Sequence, residues 1–321
     1  MKVKRVLYIL SVTLLVACSS GNDEQTPTGR GQRVPLEIVA SIDVQAEAAT
    51  RAAETAWEAD DKIGVYMVTD NSGTIYIDED ETPGKNMPYT FNDGTNYETY
   101  GTTSRLFSPN SKKIYLSDEN VDVYGYYPYA ATKSDGTDLA PTAIEINVSD
   151  QTSQKALDLM RARTGNVNNE RASIELLFQH RLSKLVFNLK QGEGMLEDEL
   201  KDASYLGMVL KNQYTKATYN IYTDEFSSPA ELQDIIPVRA TSAPTGYVRS
   251  YEAIVLPNVA GNTAADRTVS ITFYRKTKDQ ITNTFKIPGS TYFDPGTKYV
   301  FNVTVNATTI TVDPTKYTEQ W

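Results

Sequence analysis

Apolar residues in this chain recur mostly at every second position, in short runs cut apart by Gly, Asn, Asp, Ser and Pro. A period of two belongs to β-strands, whose side chains alternate between faces. One series of such runs covers residues 34–44 (VPLEIVASIDV), 62–68 (KIGVYMV), 113–116 (KIYL), 121–129 (VDVYGYYPY) and 143–148 (AIEINV). A second covers residues 173–189, 206–211, 217–222, 247–256, 268–274, 282–287 and 298–305. Turn clusters such as Asp70-Asn71-Ser72-Gly73, Asn92-Asp93-Gly94 and Ser134-Asp135-Gly136 separate them. The pattern predicts an all-β protein of sandwich type. Only 195–201 and 228–235 read as a helical turn or two. The polar stretch 161–171 (RARTGNVNNER) divides the series, so a domain boundary is expected near Gly165, giving sandwich domains over 34–165 and 166–321. Inside 173–189 the apolar set moves from even positions (Ile174, Leu176, Phe178, Leu182) to odd ones (Leu185, Phe187, Leu189), which predicts a bulge or bend near Ser183-Lys184.

The N-terminus has a different pattern. Lys2, Lys4 and Arg5 precede an apolar stretch over 6–17 that closes in Leu15-Val16-Ala17-Cys18. The stretch is 12 residues long, whereas a membrane-spanning helix needs about 20. It reads as a lipoprotein signal peptide over 1–17, with Cys18 as the lipidation site and residues 18–33 as a flexible tether. Acidic residues soon after Cys18 favour the outer leaflet of an outer membrane.

Composition closes several alternatives. The 31 Lys and Arg face 41 Asp and Glu, a net charge of −10 with no basic stripe, so nucleic acid is not expected as a partner. One Cys makes neither an internal disulfide nor a thiolate metal site, and a catalytic triad would have to use the one His, His180. His180 has no nucleophile motif near it and reads as a structural side chain bonded to backbone. The acidic runs 78–81 and 197–199 read as solvated loops rather than as a hydrolase's paired acids. Gly192-Glu193-Gly194 lacks the third Gly of a dinucleotide loop and reads as a turn. No cofactor and no metal is implied. The tyrosines of 124–129 could stack on sugars, although strand tyrosines ending in Pro more often fill a core and its rim.

Several segments together resemble the fimbrillins, subunits of the type V pili of Bacteroidales. They are the lipobox; WEADDKIGVY over 57–66; the tyrosine-rich VYGYYPY; Asp158-Leu159-Met160; FQHRLSKL over 178–185; and Pro295-Gly296-Thr297-Lys298-Tyr299 before the last long strand. One departure is Asp60, where the family usually has Gly. The resemblance implies two tandem transthyretin-like β-sandwich domains, and export as a lipoprotein to the outer-membrane surface. It also implies cleavage by an arginine-specific surface protease, then polymerisation with other pilus subunits. The cut removes a first strand, and the C-terminal segment of a neighbour fills the groove by β-augmentation. Carried onto this chain, the removable strand is 34–44, with Val34, Leu36 and Ile38 as apolar contacts. Arg51, followed by Ala52, is the scissile residue, with an ordinary surface arginine as the alternative. The donor is 308–321, with Ile310, Val312, Tyr317 and Trp321 as anchors. That tail packs either on its own domain or on a partner, and the resemblance favours the partner. The implied function is a non-enzymatic fimbrial subunit contributing to adhesion. A surface glycan-binding lipoprotein, or an anchor or tip subunit, remains the alternative.

Overall fold

The computed structural model describes residues 33–43, 56–69, 73–91, 105–110, 112–202, 206–258, 267–274, 280–287, 293–313 and 317–321. The first half contains β1 (Val34–Pro35), β2 (Glu37–Ile42), β3 (Lys62–Thr69), β4 (Met87–Phe91), β5 (Arg105–Pro109), β6 (Tyr115–Leu116), β7 (Val121–Tyr127) and β8 (Ile144–Asn147). A short helix, α1 (Gln154–Leu157), precedes β9 (Met160–Val167), β10 (Ser173–His180) and β11 (Ser183–Gln191). After α2 (Glu197–Lys201) come β12 (Leu206–Asn220), β13 (Glu225–Ile235), β14 (Val238–Arg239), β15 (Arg249–Val255), β16 (Thr268–Tyr274) and β17 (Gln280–Lys286). The last three strands are β18 (Thr297–Val305), β19 (Ile310–Val312) and β20 (Tyr317–Gln320). The all-β expectation therefore holds. No helix among the described residues is long and apolar enough to cross a membrane.

Seven strands from the part of the chain up to His180 join edge to edge in the order β10-β2-β5-β4-β3-β7-β9 and close into a barrel. Its interior is apolar because each strand turns one face inward. Ile38, Ala40, Ile63, Val65, Met67, Tyr89, Val123, Leu176 and Phe178 are all buried there. The opposite faces of β3 and β7 carry Tyr66, Val68, Tyr124 and Tyr126, and these join a second core shared with the rest of the chain. That core lies between two sheets. One runs β14-β15-β11-β18, with β19 and β20 on the outer edge of β18, and the other runs β13-β12-β16-β17, with β8 against β12. Phe187 and Phe301 of the first sheet meet Phe285 of the second at ring-centroid distances of 6.4 and 6.3 Å.

Three sequence expectations change. Residues 161–171 do not form a polar divider: β9 occupies most of that stretch and pairs with both β7 and β10. Its polarity belongs to one face, since Met160, Ala162 and Val167 are buried while Arg163 and Asn166 are exposed. Gly165 lies inside this strand, and the chain leaves the barrel at Arg181-Leu182, between β10 and β11. The parity switch in 173–189 records that passage from one sheet to another. Residues 228–235, whose Ala, Glu, Leu and Gln suit a helix, are strand β13. Its ladder with the long β12 outweighs helix propensity, and Ser228 takes positive φ where the register shifts between Ser227 and Ala230.

At the departure from the family pattern, Asp60 sits at φ 68°. Left-handed backbone favours Gly and tolerates Asp at a cost. Asp60→Gly is accordingly expected to stabilise the protein by about 0.5–1 kcal/mol, the left-handed cost of about 1–2 kcal/mol less the extra chain entropy that Gly loses on folding. An unchanged or lower denaturant midpoint would refute it.

Candidate assembly site

The strand singled out in the sequence sits in the barrel wall between two others. β2 runs parallel to β10, with Glu37 to Ile42 facing Ser173 to Phe178, and antiparallel to β5, where Ile38, Val39 and Ala40 face Phe107, Leu106 and Arg105. Val34 lies in β1, which pairs with β6 beside the barrel. Leu36 lies between the two strands, and its N–H donates to the Ile114 carbonyl at 3.0 Å. Leu36, Ile38, Val39, Ala40 and Ile42 are all buried. Burial of each larger aliphatic side chain contributes roughly 1.5–3 kcal/mol, and each main-chain hydrogen bond roughly 0.5–1.5 kcal/mol net. β2 is thus held strongly, through contacts any apolar extended segment could reproduce.

Trp57 forms the floor of this seat. Its indole N–H donates to the Ala40 carbonyl at 3.1 Å, and its ring packs edge-on to Phe107, Tyr127 and Phe178 at 5.0, 5.5 and 5.2 Å. Beyond it, Asp61 accepts from the Tyr127 hydroxyl at 3.1 Å and pairs with Lys155 at 2.8 Å. Burial raises the Tyr127 pKa, and Asp61 raises it further. At the far end of β2 the Asp43 N–H donates to the Phe178 carbonyl, while the Gln179 amide donates to the Asp43 carboxylate. Ser41 donates its hydroxyl to Glu175 at 2.9 Å.

The acidic run 78–81 is not wholly solvated. Asp78 is buried and accepts the N–H groups of Asp80 (2.9 Å), Thr82 (2.8 Å) and Tyr115 (3.1 Å), which fixes the turn against β6. Glu79, Asp80 and Glu81 are exposed, and the first two face Arg33.

Ile310 and Val312 of β19 face Val305 and Val303, and β20 pairs farther along the same edge, Tyr317 opposite Val300. The tail thus lies on its own sheet. Trp321 is buried and stacks on His180 at 4.5 Å with the rings 10° apart. Its backbone N–H donates to the Gly296 carbonyl at 2.7 Å, and the Lys184 ammonium lies 5.7 Å from its ring, itself paired with Glu252 at 3.0 Å. Gly296 is required here: it has φ 65°, and a Cβ would lie 2.8 Å from the His180 carbonyl oxygen. The His180 ring pairs with the Asp158 carboxylate at 2.6 Å rather than with the backbone partner expected from the sequence. β10 therefore carries β2 along its edge and Trp321 at its end.

The proposed sugar platform is mostly interior. Tyr124, Tyr126 and Tyr127 are buried, and the Tyr126 hydroxyl donates to Asn86 at 2.7 Å. Cys18, Arg51, Ala52, the signal peptide and the tether up to residue 32 lie outside the described residues. Sequence reasoning missed Trp57 as the seat of β2 and Asp78 as the organiser of its turn. A signal for Trp57 was its place as one of only two Trp residues, at the head of the KIGVY strand.

The family model described as fimbrillin-like matches residues 50–321. The chain belongs to the fimbrillin-like family. A Bacteroides uniformis protein provisionally named a fimbrium subunit is 30% identical over 228 residues, covering 70% of this chain and 66% of its own length. A Bacteroides ovatus protein provisionally named a fimbrium tip subunit is 29% identical over 210 residues, covering 59% of this chain and 36% of its own. The chain thus spans about two thirds of one relative and about a third of the other. A Bacteroides uniformis crystal structure, provisionally named a cell adhesion protein, superposes with a TM-score of 0.62 at 26% identity, covering 90% of this chain and 98% of the other. A Bacteroides ovatus structure given the same kind of name does so at 0.59 with 19% identity, over 90% and 98% of the two chains, which speaks for the fold alone. This fimbrillin-like chain thus shares sequence with proteins named as fimbrium subunits and architecture with proteins named for cell adhesion.

Proposed function

We propose that this fimbrillin-like protein is a structural subunit of a cell-surface fimbria, exported as a lipoprotein through Cys18 and polymerised by exchange of strands between subunits. Cleavage after Arg51 frees β2, and the C-terminal segment of a neighbour takes its place. The observation that carries this reading is β2 itself: a strand close to the N-terminus that completes a closed barrel, so its loss opens two paired edges and a row of apolar seats at once. The family match beginning at residue 50, just past that strand, is in keeping with it. The domain division, near the β10–β11 passage, is part of the same proposal.

For this chain to donate, 308–321 must first leave the edge of β18. Two buried polar atoms without a hydrogen-bond partner, Trp321 Nε1 and His180 Nε2, weaken its hold there, each unmet group costing about 1–3 kcal/mol. The same folded-back tail favours a second reading, a terminal subunit that accepts a strand and gives none.

The test is polymer formation in cells carrying Arg51→Ala or a deletion of residues 308–321. The first variant is expected to stay a lipid-anchored monomer, and the second to accept a strand without giving one. Normal polymer from both removes the exchange mechanism. Normal polymer from the deletion alone selects the terminal role.

A further inference from the structure

We infer that Glu79, Asp80 and Tyr115 form a clamp on Arg33 that keeps the Arg33–Val34 bond from being cut in the folded protein, so that an arginine-specific protease is directed away from the near side of β2. The inference takes its purpose from the processing proposed above, but the protection itself is independent of it.

Such a protease must take the whole guanidinium into an acidic pocket and draw several residues around the bond into extended form. Both requirements are already met within this molecule. The Arg33 Nη1 and Nη2 groups donate to the two Asp80 oxygens at 3.2 and 2.5 Å, the two-point geometry that makes arginine–carboxylate pairing specific. Glu79 adds a contact at 3.7 Å, and the guanidinium carbon lies 4.8 Å from the centre of the Tyr115 ring. The pairing raises the Arg33 pKa and lowers that of Asp80. With Asp80 depressed in the folded state, its contribution is present above the ordinary carboxylate range and lost as pH falls.

On the far side of the bond, Val34 and Pro35 pair with Leu116 and Tyr115, Leu36 donates to Ile114, and Glu37 donates to Ala172. A protease reaching Arg33 therefore needs the clamp open and β1 detached together, and cutting follows the population of that open form. The clamp is built rather than incidental. Buried Asp78 fixes the turn with three accepted N–H groups, one of them from Tyr115, so both acids and the ring are held on one side of Arg33.

The location has a consequence for assembly. A cut at Arg33 would separate the chain from Cys18 while leaving β2 seated, releasing a subunit whose groove is still filled. Arg33 directly precedes the β1–β2 ladder, and its side chain is clamped.

The test is brief digestion of the full chain with an arginine-specific endoprotease, scored by the fragment beginning at Val34, with the urea-unfolded chain as the reference for an unprotected bond. The folded wild type is expected to yield this fragment at least tenfold more slowly than the unfolded chain. E79Q/D80N, which leaves Asp78 and its turn intact, should release it about threefold faster than wild type with an unchanged far-ultraviolet spectrum, the effect of a solvent-exposed ion pair. A wild type cut as fast as the unfolded chain, or a folded double variant cut no faster than wild type, overturns the clamp. If the double variant unfolds, D80N alone is read by the same criteria. Absence of a cut after Arg51 in the same digest would count against the processing proposal and leave the protection of Arg33 standing.

Discussion

Trp57→Ala is expected to destabilise the protein by about 3–5 kcal/mol, the range for deleting a large buried aromatic side chain. Trp57 is 7% exposed and touches three aromatic rings contributed by β5, β7 and β10, three different strands of the barrel wall. Its removal takes away the contact common to those strands and leaves a cavity that rigid β-structure cannot collapse to fill. It also removes the donor to the Ala40 carbonyl, in the middle of β2. The effect should therefore be uneven: amide exchange should accelerate most in β2 and in the facing residues of β5 and β10, and least in β11 and β15. Trp57→Phe, which keeps much of the ring packing and loses the indole N–H, should recover more than half the loss. A Trp57→Ala variant within 1 kcal/mol of wild type, or exchange that rises evenly over both cores, would show that the seat does not depend on this residue.

The second large effect is expected when β2 is taken away. A chain beginning at Ala52 loses five buried side chains from the barrel wall, and the edges of β5 and β10 are left without the partner they now have. Unpaired apolar edges associate with whatever strand is offered. The shortened chain should lose amide protection in β5 and β10, while β15, β16 and β18 keep theirs. A peptide of residues 34–43 should restore the protection. A peptide of residues 308–321 should also restore it if strands pass between subunits as proposed, since Ile310 and Val312 repeat the spacing of Ile38 and Ala40 two residues apart. Restoration by the first peptide and not the second would keep the groove and reject this donor. Full protection with no peptide would mean that β2 is not a component of a folded barrel, and the exchange proposal would fail with it.

How far the sequence reached can be seen strand by strand. β16 and β18 came directly from alternation, because one face of each packs on a core and the period of two survives in the residues, whereas β3 and β7, buried on both faces, were marked by their β-branched and aromatic content. β9 and β13 did not. Arg161, Arg163, Gly165 and Asn166 make β9 look like a linker, and β13 has one buried residue, Ile235, so nothing in its apolar pattern marks a strand. Both exist because a neighbouring strand supplies a ladder, and a ladder is made by backbone groups that every residue carries.

The candidate site divides in the same way. The apolar run of β2, the lone His180, the Pro295-Gly296 turn and the terminal Trp321 were each visible along the chain. Their meeting was not: β10 holds β2 at residues 173–178 and Trp321 at His180, across separations of more than a hundred residues. The same holds for the Arg33 clamp, whose acids lie in a run that alone reads as a solvated loop.

The sequence by itself determined the all-β character of this protein and its family, because alternation, turn residues and short motifs are local properties that leave a trace at each position. Only the tertiary structure decided that the first strand closes a barrel, that the tail lies on its own sheet, and that Trp57 and Asp78 hold the parts in place. Pairing and burial are set by which segments meet in space, and each strand's alternation is compatible with many partners until the packed core selects one.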